Sequence, residues 1–320
     1  MKLKPFGSLP VQVSEIGFGT SQLANTDNQF DGVKYVSTSD ARSILQKAVD
    51  HGINIFDTSP TYGTAEKLVG EIKSKNKDKI IVATKAGLKP DGTRDFSESF
   101  LRQEIEHSLK ELQVECLDIF QLNKPSQSDL ENTDVFGFLD KLKKQGKIKY
   151  SGVIVGDIEA GFQCIKSGKV DCLQIFYNLL CQEAEGLITK AHLSGLGVLV
   201  RSPLNSGLLT GTYNKNTVFE SNDARSTFFK GDEFAKRLEI LNKIQKDLNI
   251  RSDQLMGYSM RFVLSHEGGI VAIPAASKFA QIDELVKFAN NLPRFDFGEL
   301  ENIKEIVEKY MGKADFAQQL

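Results

Sequence analysis

Eight short runs rich in Ile, Val, Leu and Phe punctuate this chain, at Glu15–Gly19, Ile53–Asp57, Ile80–Lys85, Leu117–Leu122, Gly152–Val155, Leu173–Tyr177, Val198–Arg201 and Ile270–Pro274. Most are nearly continuous in apolar residues, the pattern of parallel strands covered on both faces. Helical spacing fills most of the gaps. Ala41, Ile44, Leu45, Ala48 and Val49 make one apolar helix face, with Ser39 or Asp40 as N-cap and Gly52 just beyond its end. Leu101, Ile105, Leu109 and Leu112 repeat the stripe, and helices are expected over Phe136–Gln145, Ile158–Lys166, Ala184–Leu193, Phe234–Leu248, Ser252–Leu264 and Ile282–Phe288. This alternation predicts an α/β fold, a (β/α)8 TIM barrel formed as one domain over residues 1–320. The competing architecture is an open doubly wound sheet. Its first turn usually carries G-x-G-x-x-G, which Gly17-Phe18-Gly19-Thr20 does not complete.

Two segments break the rhythm. Residues 1–13 are expected to form a short hairpin closing the bottom of the barrel. Residues 204–233, rich in Gly, Asn and Ser, read as a long loop after the seventh strand, on the face where barrel active sites lie.

Composition narrows the function. Among 320 residues, 40 Lys+Arg against 42 Asp+Glu leave a net charge of −2, without the basic field that draws proteins to nucleic acid or acidic membranes. No apolar run approaches the roughly 20 residues of a membrane-spanning helix, and Met1-Lys2-Leu3-Lys4-Pro5 lacks a signal-peptide core. The cysteines Cys116, Cys164, Cys172 and Cys181 form no C-x-x-C pair and read as reduced, mostly buried thiols of a cytoplasmic protein. His51, His107, His192 and His266 lack metal-ligand spacing, so no metal site is expected.

In a barrel, reactive groups sit just beyond the carboxyl ends of strands. Asp57 ends the second strand, with Tyr62 in the loop after it; Lys85 ends the third and Asn123 the fourth. These adjacent strands bring the four residues together. A phenol titrates near pH ~10 and is a weak acid at neutrality. A neighbouring ammonium favours the phenolate, so Lys85 would strengthen Tyr62 as an acid while Asp57 holds Lys85 charged. Tyr62 would then protonate a carbonyl oxygen as a hydride reaches the carbon. No amino acid supplies hydride, which implies a nicotinamide cofactor.

Gly52-Ile53-Asn54-Ile55-Phe56-Asp57-Thr58-Ser59 with Tyr62-Gly63, Ala83-Thr84-Lys85, and Ser202-Pro203-Leu204 with Ser206-Gly207-Leu208-Leu209-Thr210-Gly211 occur in order. In these motifs the sequence resembles the aldo-keto reductase superfamily over essentially its whole length. The resemblance implies a (β/α)8 barrel of NAD(P)H-dependent carbonyl reductases that binds its dinucleotide without a Rossmann domain. By motif it implies Tyr62 as proton donor, Lys85 as its activator and Asp57 as the partner of Lys85. It also places Thr20 at the cofactor, Gln174 on the nicotinamide carboxamide and Arg201 against the nicotinamide. The backbone around Ser202, Leu204, Ser206, Gly207 and Leu209 would wrap the pyrophosphate.

The sequence departs from that family in three places. Asn123 stands where a His is usual; it can donate a neutral hydrogen bond but cannot titrate near neutrality. Ile154 and Val155 replace a carboxamide-binding Ser and its Asn neighbour. After the eighth strand Ser277, Lys278, Gln281 and Glu284 are present, but Leu285 replaces an Asn near adenine. Lys278 would attract a 2′-phosphate as a point charge, favouring NADPH with NADH as the alternative.

The expected activity is therefore NADPH-dependent reduction of a small aldehyde, ketone or sugar carbonyl. The alternative is a catalytically weakened, cofactor-binding redox sensor or partner-binding subunit; a third reading is lyase or isomerase chemistry on the Tyr62–Lys85 pair. Polar loops at Thr26–Val36 and Lys124–Thr133, with Phe30, Tyr35 and Arg225 as candidate contacts, hint at a hydroxylated or charged substrate.

Overall fold

All eight expected strands form, and they lie side by side in sequence order. The computed structural model describes residues 1–23, 36–220, 223–229 and 232–310. A hairpin of β1 (Leu3–Phe6) and β2 (Leu9–Ser14) precedes the barrel strands. These are β3 (Phe18–Gly19), β4 (Ile55–Asp57), β5 (Ile81–Ala86), β6 (Leu117–Asn123), β7 (Ile148–Ile154), β8 (Cys172–Phe176), β9 (Gly197–Arg201) and β10 (Val271–Ile273). Every neighbouring pair is parallel. Bridges Ile16↔Ala272 and Gly19↔Ala275 draw the first strand against the last, giving a nearly closed barrel.

Helices pack outside: α1 (Thr38–Asp50), α2 (Ala65–Lys75), α3 (Glu98–Glu111), α4 (Gln127–Asn132), α5 (Val135–Lys144), α6 (Ile158–Ser167), α7 (Glu185–Leu193), α8 (Ala224–Phe228), α9 (Glu233–Asp247), α10 (Ser252–Leu264), α11 (Phe279–Asn291) and α12 (Phe297–Glu308). The apolar stripe of α1 is buried as expected, but the N-cap is Ser37, whose hydroxyl accepts from the Asp40 N–H; Ser39 and Asp40 lie in the first turn. Strand β7 begins four residues before the expected Gly152, because Ile148 pairs with Leu117 at the barrel's lower edge. Helices α2 and α12 were not expected from the sequence, and α4 forms inside Lys124–Thr133, read as a polar loop, where Ser126 and Asp129 make a capping box.

The segment expected as a long loop after β9 is partly ordered. A 3-10 turn spans Asn205–Thr210, and α8 follows. The rings of Tyr213, Phe219, Phe229 and Phe234 then cluster with centroids 5.0–6.3 Å apart. Aromatic packing of this kind fixes a segment whose polar composition reads as loop.

Strand alternation sorts the side chains into two cores. Outward residues such as Phe56, Phe120, Val153, Leu173, Val198 and Ala272 pack against the helices. Inward residues Ile55, Ala83, Ile119, Cys172, Leu199, Val271 and Ile273 fill the lower barrel, plugged from below by Phe6 and Val13 of the hairpin. The plug depends on Gly197, where a Cβ would lie 2.5 Å from the Phe6 ring. Among the described residues no helix is long and apolar enough to cross a membrane.

Candidate active site

Above this hydrocarbon layer the barrel turns polar. Asp57 and Lys85 close β4 and β5, and both are nearly inaccessible. Lys85 Nζ donates to Asp57 Oδ1 at 2.6 Å and to the Tyr62 phenol oxygen at 3.4 Å. It also lies 4.7 Å from the centroid of the Tyr62 ring. Burial alone would lower the lysine pKa, but the charge of Asp57 and the hydrogen bonds outweigh it, and Lys85 is held above its ordinary value. The expected trio of Asp57, Tyr62 and Lys85 thus converges.

Asn123, at the top of β6, is 8% exposed and stands level with Ile154 of β7. Ile154 is in turn level with Gln174 of β8. Gln174 Nε2 donates to Asp57 Oδ2 at 2.8 Å and to Gln121 Oε1 at 3.2 Å, so its amide nitrogen is engaged with the Asp57 carboxylate. Gln121, which sequence reasoning passed over, is fully buried and donates to the same Oδ2 at 3.2 Å. The signal was present: in Leu117-Asp118-Ile119-Phe120-Gln121-Leu122-Asn123, two-residue alternation puts Gln121 and Asn123 on one face.

Arg201, at the end of β9 beside Phe176, lays its guanidinium 5.1 Å from that ring and donates to the Val155 carbonyl at 3.3 Å. Its Nε is buried without a hydrogen-bond partner among the described residues. Burial pushes its pKa down to about 10, partly offset by attraction from Tyr62 and Asp57, so it stays charged at neutrality. The chain then enters left-handed backbone at Ser202 (φ 53°), Asn205 (φ 46°), Ser206 (φ 52°) and Gly207 (φ 91°). Non-glycine residues in this region cost about 1–3 kcal/mol each, and such strain gathers at ligand-holding turns. Gly207 and Leu209 both donate their backbone N–H to the Leu204 carbonyl, which fixes the curl of this segment, and the Leu209 side chain is fully buried.

Thr20 is also fully buried; its N–H and hydroxyl both donate to the Asp57 carbonyl at 3.0 Å, tying β3 to β4. After β10, Gln281 Oε1 accepts from the N–H groups of Ser277 (2.9 Å) and Lys278 (3.0 Å), capping α11. Lys278 is exposed, Glu284 is exposed, and Leu285 is packed into the helix layer. Arg225 is drawn to Asp223 and donates to the Tyr213 hydroxyl at 2.9 Å. Phe30 and Tyr35 lie outside the described residues. Cys164, Cys172 and Cys181 are buried and Cys116 half-buried; burial pushes Cys164 up to about 12. Among the described residues no group of three or more His, Cys, Asp and Glu could hold a metal.

A buried carboxyl supports this site from outside the barrel. Glu66, one turn beyond Tyr62 in α2, accepts from Thr84 Oγ1 at 2.6 Å, and Thr84 immediately precedes Lys85. Sequence reasoning missed it as well.

Comparison with known proteins agrees with this architecture. A sequence model of the aldo/keto reductase family matches residues 15–308. The chain is 31% identical over 292 residues to the aldo-keto reductase str7 of Strobilurus tenacellus, covering 87% of this chain and 84% of that one. It is 24% identical over 332 residues to the NADH-specific methylglyoxal reductase of Escherichia coli, covering 97% of this chain and 100% of the other. Among solved structures, the holo form of aldo-keto reductase AKR11C1 from Bacillus halodurans superimposes with a TM-score of 0.77 at 22% identity, covering 96% of each chain.

Proposed function

This chain belongs to the aldo/keto reductase family, and we propose that it reduces the carbonyl group of a small aldehyde, ketone or sugar at the expense of NADPH. The observation that carries this reading is Lys85 Nζ set between the Asp57 carboxylate and the Tyr62 phenol oxygen at the mouth of a barrel whose lower half is packed with apolar side chains.

The residues around that mouth fit a dinucleotide. Arg201 presents a buried Nε without a partner among the described residues, and the turn through Ser202, Leu204, Ser206, Gly207 and Leu209, left-handed at Ser202, Ser206 and Gly207, follows it in the chain. We assign this turn to the pyrophosphate, Gln174 and Thr20 to the nicotinamide end, and Ser277, exposed Lys278 and Gln281 to the adenosine end. There the Lys278 ammonium favours a 2′-phosphate. The nicotinamide, when bound, supplies the hydride.

The protein's own part is acid catalysis. Because Lys85 donates to the Tyr62 oxygen, the phenol O–H is directed toward another acceptor, the substrate oxygen. Charge developing on that oxygen draws the proton from Tyr62, and the ammonium of Lys85 stabilises the phenolate left behind. Asp57 keeps Lys85 charged throughout. Asn123 offers an N–H to the same oxygen without altering its own charge.

Replacing Tyr62→Phe removes the acid and keeps the ring. It is expected to lower turnover by about 100-fold or more while NADPH affinity, read by fluorescence titration, stays within threefold. Wild-type turnover in that variant overturns the assignment. A second reading, a nucleotide-binding redox sensor, is motivated by Asn123 and Ile154 in place of a titrating and a hydroxyl group. It predicts tight NADPH binding with no turnover across a panel of aldehydes, ketones and sugars.

A further inference from the structure

We propose that Gln121 is a positioning residue for this chemistry: it fixes the Asp57 carboxylate from the side opposite Lys85, and so sets the acidity of Tyr62. The inference rests on the proposed function above and adds a residue to which that reading assigns no role.

Asp57 is 4% exposed and accepts three N–H groups. Lys85 takes Oδ1, while Gln121 (3.2 Å) and Gln174 (2.8 Å) share Oδ2. A carboxylate only accepts hydrogen bonds, so the atom that Gln121 turns toward Asp57 has to be its nitrogen. Its oxygen is then left for Gln174 Nε2 at 3.2 Å, and the amide plane is fixed at both ends. Strand register supplies the place. Gln121 pairs with Lys85 on one side and with Gly152 on the other. A Cβ at Gly152 would lie 3.1 Å from Gln121 Cγ, so the missing side chain there makes room for the glutamine inside the barrel.

Two consequences follow. Gln121 stabilises the anionic form of Asp57 without adding charge, and it disperses negative charge that would otherwise oppose a phenolate on Tyr62. When the dinucleotide engages Gln174, Gln121 remains as the donor on Oδ2, so the aspartate is not released as reactants arrive.

The test uses the full chain with Gln121→Leu and Gln121→Glu, each also made with Tyr62→Phe. Thermal unfolding is recorded for all. Tyr62 ionisation is read as the ultraviolet phenolate difference between each protein and its Tyr62→Phe counterpart. With the N–H removed in Gln121→Leu, the Tyr62 titration is expected to move up by about half a pH unit, and further in Gln121→Glu, where a second carboxylate faces Asp57. Turnover of 4-nitrobenzaldehyde with NADPH is expected to fall about two- to threefold in Gln121→Leu and further in Gln121→Glu. In Gln121→Glu it should recover as pH is lowered and the new carboxyl takes up a proton. Titrations superimposable on wild type overturn the proposal, as does a Gln121→Leu protein that unfolds or loses NADPH binding, since that marks a purely structural glutamine. If Tyr62→Phe alone keeps wild-type turnover, the reductase reading fails, whatever Gln121 does to the titration. If it loses turnover while Gln121→Leu changes nothing, only the positioning role falls.

Discussion

Glu66 and Thr84 join the outer face of the barrel to the loop that carries Tyr62. The 2.6 Å hydrogen bond from Thr84 Oγ1 to Glu66 Oε1 links the first turn of α2 to the residue before Lys85. The phenol and the ammonium are thus held to each other through a side-chain contact on the opposite face of β5.

Burial raises the Glu66 carboxyl above its ordinary 4.5, against the opposing pull of hydrogen bonds from Thr84 and Ser108. Folded protein therefore keeps this proton over a pH range in which the unfolded chain has lost it. In that window the native state binds more protons, so stability falls as pH rises from about 4.5 and levels off above the raised value. Glu66→Gln removes the ionisation and leaves an amide of the same shape beside the Thr84 and Ser108 hydroxyls. Urea unfolding at neutral pH is expected to show the variant about 1 kcal/mol more stable than wild type, with the gap closing near pH 4.

Asn123 is expected to act through a neutral N–H. Asn123→Ala should lower kcat by about 100-fold while leaving the shape of the pH profile unchanged. Asn123→His should instead add a limb near pH ~6.5, where imidazole titrates. Steady-state rates across the pH range check both.

Ile154 lies where a hydroxyl would face the nicotinamide amide if the proposed pose holds. Ile154→Ser is expected to gain about 0.5–1.5 kcal/mol of nucleotide binding, a two- to tenfold lower Kd by fluorescence titration. Unchanged affinity would place the nicotinamide elsewhere.

Phe6 is fully buried against Gly197 in the barrel floor. Truncation in Phe6→Ala is expected to cost about 3–5 kcal/mol, because the surrounding strands are hydrogen-bonded to one another and cannot collapse into the space. The guanidinium unfolding midpoint measures it.

Much of the fold was legible because parallel strands bury both faces and so announce themselves as apolar runs. The residues at their upper ends, Asp57, Lys85 and Asn123, were legible for the same reason: they interrupt those runs at one level of the barrel. Helix α2 was less plain. Ala65, Leu68, Val69 and Ile72 form its stripe, but Glu66 is buried among them and Gly70 lowers helix propensity. Gly70 is needed because a Cβ there would sit 2.6 Å from the Leu112 carbonyl oxygen, a contact between distant segments that no local pattern reveals. Helix α12 did carry a local signal, the Asp296 and Glu299 capping box ahead of Ile303, Ile306 and Val307. Alternation places Gln121 on the face of Asn123, but the partner that gives it a role lies 64 residues away, as Thr84 lies 18 residues from Glu66, and no local pattern joins either pair.

The plugged floor also governs proton traffic. Among the described residues, the cluster beneath Lys85 is hydrocarbon apart from the thiol of Cys172 and the partly buried Tyr150 packed against it, which furnishes a poor route for protons downward through the barrel. On the proposed chemistry, a proton surrendered by Tyr62 would be restored from the open end, through the same vestibule that admits the reactants, and recharging the acid would wait until that vestibule clears.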